Sequence, residues 1–92
     1  MIYMAQGHEI DLERTTRLYP AARVCVGGEY AQVSLEWAEL KQEVIEIEAY
    51  VLVFDTDPLD DVPHNRIVLE FTCKESLMKA MHDVAQIMAS SS

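Results

Sequence analysis

The sequence predicts a single α+β domain, in which an antiparallel sheet of about five or six strands carries one amphipathic helix at the C-terminal end. Three features support this class: a double glycine between alternating apolar runs, a β-branched segment before an aspartate-rich loop, and a final apolar stripe at helical spacing. A chain of 92 residues has room for one domain. We assign residues 1–89 to it and residues 90–92 to a polar C-terminal tail.

The N-terminal residues predict short strand pieces around a turn at Gly7-His8. Ile10 and Leu12 alternate with charged residues, which is the period-two pattern of a half-buried strand. A second extended piece covers residues 15–19, directly before Pro20. Proline biases the residue before it away from the helical region, so this piece is not expected to be helical.

The double glycine Gly27-Gly28 lies between two alternating runs, which is the pattern of a hairpin with a two-residue turn. If Val26 pairs with Glu29, the register of the whole hairpin follows. The further pairs are then Val24 with Ala31, Ala22 with Val33, Cys25 with Tyr30, and Arg23 with Gln32. The alternation in the second strand continues as far as Trp37.

The segment between Trp37 and Phe54 is compatible with two structures. Its β-branched and aromatic residues after Val44 favour a strand. The preceding residues 38–43, AELKQE, have high helix propensity and favour a short helical connection. We therefore predict a strand, about one helical turn, and another strand. A single helix over about residues 35–49 is the alternative, because apolar residues also recur there at helical spacing.

The end of the chain predicts another strand at residues 66–73 and then the clearest helix. Thr72 and Glu75 have the spacing of a capping box, in which each side chain accepts a hydrogen bond from the other residue's backbone N–H. The apolar stripe of this helix must cover a sheet or a partner. It consists of Leu77, Met81, Val84 and Met88, widened by Met78, Ala80, Ala85 and Ile87.

Sixteen acidic residues against seven basic ones give a net charge of −9, and no segment concentrates lysine and arginine. Direct binding to nucleic acid or to an anionic membrane is therefore not expected. The sequence predicts neither a signal peptide nor a transmembrane span. Its two cysteines, Cys25 and Cys73, are too few for a disulfide framework and fit a reducing cytoplasm.

The aspartate-rich loop holds weak candidates for a divalent-cation site: Asp55, Asp57, Asp60, Asp61 and His64. An apolar strand that ends in Asp-x-Asp resembles the start of haloacid-dehalogenase-like phosphatases and a segment of metal-dependent sugar-nucleotide transferases. In those enzymes a helix follows the strand, whereas Pro58 and Pro63 follow here. We interpret the segment as a proline-limited connection between strands and predict neither metal nor cofactor, with a divalent-cation site as an alternative.

Zinc and nucleophilic sites find less support in the spacing of the residues. The possible zinc ligands, which lack the close spacing of structural zinc sites, are His8, Cys25, His64, Cys73 and His82. The possible nucleophiles, none on a glycine-rich elbow, are Ser34, Ser76 and the two cysteines. We therefore predict no catalytic residues and a protein that is not an enzyme.

The function predicted from these observations is a small acidic interaction or accessory module that forms a homodimer or binds another protein. The interface candidates are Trp37, Tyr50, Met78, Met81 and Met88, since methionine and aromatic residues are enriched in interface cores. The alternative is an acidic antagonist or nucleic-acid mimic of a basic partner, as in phage and mobile-element accessory proteins. That alternative requires the carboxylates to form one continuous face.

Overall fold

The computed structural model describes residues 2–58, 60 and 65–90, and six strands and two helices lie within them. In chain order they are β1 (Ile2–Ala5), β2 (His8–Asp11), β3 (Arg17–Val26), β4 (Glu29–Ser34), α1 (Leu35–Leu40), β5 (Glu46–Asp55), β6 (Arg66–Phe71) and α2 (Lys74–Ser90). A two-stranded sheet pairs β1 with β2, and a four-stranded sheet has the order β4-β3-β5-β6. All pairs are antiparallel, so the predicted α+β class with a C-terminal helix is confirmed.

The predicted β3–β4 hairpin is confirmed in every pair. Val26 lies opposite Glu29, and the pairing continues in the predicted register to Ala21 opposite Ser34. Gly27 and Gly28 have φ values of 59° and 82°, in the left-handed region that costs glycine nothing. The two-residue turn therefore fixes which side chains share a face along both strands.

The strand before the double glycine is longer than predicted. The sequence predicted an extended piece at residues 15–19, whereas β3 begins at Arg17 and runs through Pro20, which lies opposite Leu52 of β5. β4 ends at Ser34, opposite Ala21, so it does not reach Pro20. A proline lacks the N–H of a ladder bond, and a position beside an open edge is where a strand tolerates one.

The predicted order of strand, short helix and strand is confirmed for the central segment, although the helix lies at Leu35–Leu40 rather than at residues 38–43. The alternative of a single helix over residues 35–49 is wrong. α1 covers Leu35–Leu40, and β5 begins at Glu46. The predicted continuation of the strand to Trp37 is also wrong, because the Ser34 hydroxyl accepts a hydrogen bond from the Trp37 backbone N–H at 3.2 Å. Serine at this position satisfies a free donor of the first turn and starts the helix.

The main core lies between one face of the four-stranded sheet, α2 and the β1–β2 hairpin. Its buried members are Ile10, Leu12, Leu52, Phe54, Leu69, Leu77, Ala80 and Val84. Because successive strand residues point to opposite faces, Val51 and Val53 form a second cluster with Ala21 on the other face. A third cluster holds Ala38 of α1 against Ala22 and Val24 of β3.

The C-terminal helix begins one position later than the capping-box spacing required. α2 starts at Lys74, so Cys73, rather than Thr72, directly precedes it, and the Cys73 Sγ lies 3.2 Å from the Ser76 Oγ. The helix includes Ser90, the first residue of the predicted tail, and residues 91 and 92 lie outside the described part. In the described residues, no helix combines the length and the apolarity needed to cross a membrane.

Candidate functional site

The apolar stripe of α2 divides into a buried row and an exposed flank. Leu77, Ala80 and Val84 are buried in the main core. Met78 and Met88 are instead 41% and 44% exposed, which is more than a core position allows. Since residues at i and i+3 or i+4 share one side of a helix, the methionine side chains follow a flank adjacent to the buried row.

An apolar groove lies between this flank and β3, and we call it the methionine groove. Its volume is about 170 Å³, and its lining is almost entirely apolar. The lining residues are Leu18, Tyr19, Pro20, Leu52, Met81, Val84, Ala85 and Met88. Small-molecule sites usually measure roughly 300–1,000 Å³, so the groove suits one or two apolar side chains better than an organic cofactor.

The methionine groove is open to solvent because β3 extends beyond the end of β4. Residues 17–20 of β3 extend beyond the end of β4 at Ser34. This leaves Leu18 exposed beside α2, and Pro20 lacks an N–H that an added strand could use. The groove therefore joins an apolar helix flank to a short open strand edge.

The structure distributes the five interface candidates over three places. Met81 and Met88 line the methionine groove, and Met78 lies one turn away on the same helix. Trp37 is exposed on α1, and Tyr50 of β5 is half-buried against the main core. Met78 and Met88 therefore mark a surface, whereas Met81 and Tyr50 are half-buried and also pack against the main core.

The first residue of the aspartate-rich segment has a structural partner. Asp55 is 1% exposed, and its side chain accepts hydrogen bonds from Arg66 Nε at 2.7 Å and from Arg66 Nη2 at 3.4 Å. The two residues lie opposite each other in the β5–β6 pair. The hydrogen bond to Asp55 raises the pKa of Arg66 above its usual value, against the opposing effect of burial. Asp55 therefore neutralises an arginine across the sheet.

The second carboxylate of the segment holds the loop together. Asp57 Oδ2 accepts from the Asn65 backbone N–H at 2.7 Å, and its Oδ1 accepts from the Asn65 side-chain amide at 3.2 Å. From the preceding loop, the Thr16 hydroxyl donates to the backbone carbonyls of Asp55 and Asp57. A cation at either carboxylate would compete with these contacts.

The remaining metal candidates do not assemble in the described residues. Asp60 is exposed, while Asp61 and His64 lie outside the described part of the chain. Within residues 2–58, 60 and 65–90, no group of three His, Cys, Asp or Glu side chains is placed to hold a metal ion. Cys25 and Cys73 are both free thiols, on β3 and before α2.

A contact that the sequence interpretation missed places Cys73 beside Ser76. The hydrogen bond from the Ser76 side chain lowers the pKa of Cys73, with a further contribution from the Ser76 backbone. The signal in the sequence is a cysteine three residues before a serine at the start of a helix, where N–H groups favour a thiolate. Cys73 is exposed, so this thiol is accessible to reagents.

On the sheet face opposite α2, arginines lie among the carboxylates. Arg23 forms ion pairs with Glu48 of β5 and with Glu70 of β6, and Arg66 pairs with Asp55 nearer the end of the same face. Elsewhere, Lys74 of α2 pairs with Glu39 of α1. Arginine side chains therefore interrupt the negative charge on the sheet face opposite α2.

A scan against protein-family models gave no match, and searches of curated proteins and of solved structures gave no significant match. Function is therefore inferred from the geometry of the described surfaces.

Proposed function

We propose that this chain is a non-enzymatic interaction module that binds an apolar segment of a partner protein in the methionine groove. The supporting observation is that Leu18 and Met88 are exposed on opposite sides of a groove with an almost wholly apolar lining. Contiguous exposed apolar surface mostly marks interaction sites in soluble proteins. Methionine is flexible and polarisable, so such a surface adapts to different apolar side chains.

The chemistry of the partner follows from the size of the groove and the charge of the chain. The groove accommodates one or two apolar side chains, which would act as anchors. The net charge of −9 attracts basic segments over long distances and accelerates their association. We therefore expect a partner segment in which apolar anchors are flanked by lysine or arginine.

An acidic antagonist that imitates nucleic acid has less support. Such a protein needs a continuous acidic face, and Arg23 and Arg66 interrupt the carboxylates on the sheet face opposite α2. We also expect the chain to self-associate and to lie in a reducing cytoplasm, and neither expectation depends on the methionine groove. The two free cysteines support the reducing environment.

The experiment first selects peptides that bind the purified protein. It then measures the affinity of these peptides for two variants, in each of which one methionine is replaced by glutamate. Met88→Glu places a charge in the groove, and Met4→Glu places it on β1 at a position that is 74% exposed and does not line the groove. We expect Met88→Glu to raise the peptide Kd about tenfold or more, since a charge in an apolar site is poorly solvated. Equal effects of the two substitutions would contradict the proposal.

Both variants add one negative charge, so the comparison separates the loss of an apolar contact from the effect of charge. Glutamate would strengthen long-range attraction to a basic peptide, so weaker binding by Met88→Glu reports loss of the apolar contact. Circular dichroism should show the same helix content in both variants, because both positions are exposed.

A further inference from the structure

The two edges of the four-stranded sheet differ in how their backbone N–H and C=O groups are satisfied. At the β6 edge, the Gln6 side chain donates to the Glu70 carbonyl at 2.7 Å and accepts from the Glu70 N–H at 3.1 Å. One side-chain amide thus satisfies both backbone groups, as a neighbouring strand would. The N-terminal hairpin therefore closes part of this edge.

The β4 edge has no comparable protection among the described residues. Its six residues, EYAQVS, contain one charge, at the first position, and neither lysine nor proline. All except Val33 are exposed, and Tyr30 is 66% exposed. Proteins usually protect an exposed edge with charges, prolines or bulges, because unpaired N–H and C=O groups bind other strands. The β4 edge is therefore suited to pairing with another strand.

We propose that β4 pairs antiparallel with β4 of a second copy of this chain, so that two four-stranded sheets become one continuous sheet across a two-fold axis. This goes beyond the proposed function, since it uses the sheet edge rather than the methionine groove. It also commits the expected self-association to one surface.

The hairpin register shows that the β4 edge is self-complementary. A two-residue turn closes on a hydrogen-bonded pair, here Val26 and Glu29, so the backbone groups of alternate residues Tyr30 and Gln32 point to the open edge. A two-fold axis perpendicular to the sheet places residues of the same face opposite each other. Gln32 then faces either Tyr30 or Gln32 of the second copy.

The charges permit both of these registers. The single charged residue of the strand, Glu29, is at one end, so antiparallel pairing places it near the far end of the other β4. No like charges oppose each other within the paired strands, which would otherwise be unfavourable. With one carboxylate at its first position, the β4 edge offers a basic strand little charge to pair with at short range, whereas a second copy of β4 pairs with it without opposed charges.

Exposed apolar side chains at the two ends of β4 support the same arrangement. Val26 and Tyr30 lie at the turn end, while Trp37 and Leu40 on α1 follow the other end, with Leu40 82% exposed. Antiparallel pairing places each end beside the opposite end of the second copy. The edge hydrogen bonds would therefore be flanked by apolar surface, and Trp37 would take the interface role predicted for it.

The test measures self-association by sedimentation equilibrium from micromolar to millimolar concentration, with a matched pair of variants. Gln32→Lys adds a charge to the centre of the edge, and Gln86→Lys makes the same change at an exposed position of α2. We expect Gln32→Lys to raise the dimer Kd about tenfold or more, and Gln86→Lys to change it less than about twofold. Lysine lowers the net negative charge of each chain, so a weaker dimer cannot result from greater long-range repulsion between the two chains. In the register that places Gln32 opposite Gln32, the two lysines also repel each other directly, which weakens the same strand pairing.

Hydrogen exchange gives a second readout, which applies even if Gln32→Lys folds poorly. In the unsubstituted chain, exchange of the Tyr30 and Gln32 amides should slow as concentration rises. A monomer at millimolar concentration, or a dimer in which these two amides still exchange rapidly, would overturn the proposal. Pairing with a strand of a different protein alone would appear as a monomer in this experiment.

Salt separates this proposal from the proposed function. Two copies with a net charge of −9 repel each other, so added salt should tighten the dimer by screening. Binding of a basic peptide in the methionine groove should weaken with salt. Since Gln32 does not line that groove, Gln32→Lys should leave peptide affinity unchanged, and either proposal can fail without the other.

Discussion

Arg66 binds Asp55 through a side-on pair of hydrogen bonds, in which the carboxylate is almost fully buried and the guanidinium is about one-third exposed. The asymmetry means that removing either partner leaves a different charge behind. Without Arg66, an unpaired carboxylate stays buried, whereas without Asp55 the guanidinium can reach water. An unpaired buried charge is the more unfavourable of the two.

We therefore expect Arg66→Ala to lower the free energy of unfolding by about 2–3 kcal/mol, and Asp55→Ala to lower it by about half as much. The measurement is urea unfolding at neutral pH. Arg14→Ala is the control, because Arg14 pairs with Asp11 on the surface, and we expect a loss of about 0.5 kcal/mol or less. Equal losses for all three variants would show that the burial of Asp55 carries no cost.

Two neighbouring residues test which face of α2 packs on the sheet. Leu77 is fully buried, and Met78 is 41% exposed on the flank of α2 beside the buried row. We expect Leu77→Ala to lower the free energy of unfolding by about 3 kcal/mol through cavity formation. Met78→Ala should lower it by about 0.5 kcal/mol or less. Thermal or urea unfolding decides, and a similar loss at both positions would place the buried row elsewhere on the helix.

The Gln6 contact predicts a local change at the β6 edge. Gln6→Ala removes both hydrogen bonds to the Glu70 backbone, and we expect a loss of about 1 kcal/mol and faster hydrogen exchange of the Glu70 amide. Gln6→Glu keeps the acceptor but loses the donor. Hydrogen exchange of the Glu70 amide should therefore be slower in Gln6→Glu than in Gln6→Ala. Met4→Ala, on the same hairpin, is the control for stability. If the Glu70 amide exchanged at the same rate in Gln6→Ala as in the unsubstituted chain, the Gln6 side chain would not protect the β6 edge.

The lowered pKa of Cys73 predicts that its alkylation by iodoacetamide begins at lower pH than for an ordinary thiol. Ser76→Ala removes the main cause and should move the alkylation profile to higher pH. The folded chain favours the thiolate, so this group stabilises the fold above the thiol's ordinary pKa, and the effect is lost as pH falls through the lowered pKa. A Cys25→Ser background ensures that only Cys73 reacts. A profile unaffected by Ser76→Ala would contradict this account.

The sequence allowed the β3–β4 register to be predicted in full because a glycine pair at a two-residue turn leaves one pairing that keeps the apolar side chains together. The Ser34 cap was missed for a related reason. The alternation of β4 continues through Leu35 and Trp37, and the pattern alone does not show that a serine hydroxyl ends it.

The partner of Asp55 could not be found from spacing. Residues 56–65, which include Pro58 and Pro63, separate β5 from β6, so the spacing does not set the register and the Asp55–Arg66 pair depends on the fold as a whole. The methionine groove depends in the same way on where β4 ends. The sequence identified the methionines as interface candidates, but only the open end of β3 places Leu18 and Pro20 beside them.

The two-residue turn of the β3–β4 hairpin has a consequence for the order of folding. Its pairs join residues that are close in the chain, and isolated hairpins form within roughly 1–10 μs, whereas β3 meets β5 only after a longer loop closes. We expect Val33→Ala in β4 to slow folding, and Leu69→Ala in β6 mainly to speed unfolding, in stopped-flow experiments. A strand pair that forms early serves as the template on which β5 and then β6 are added.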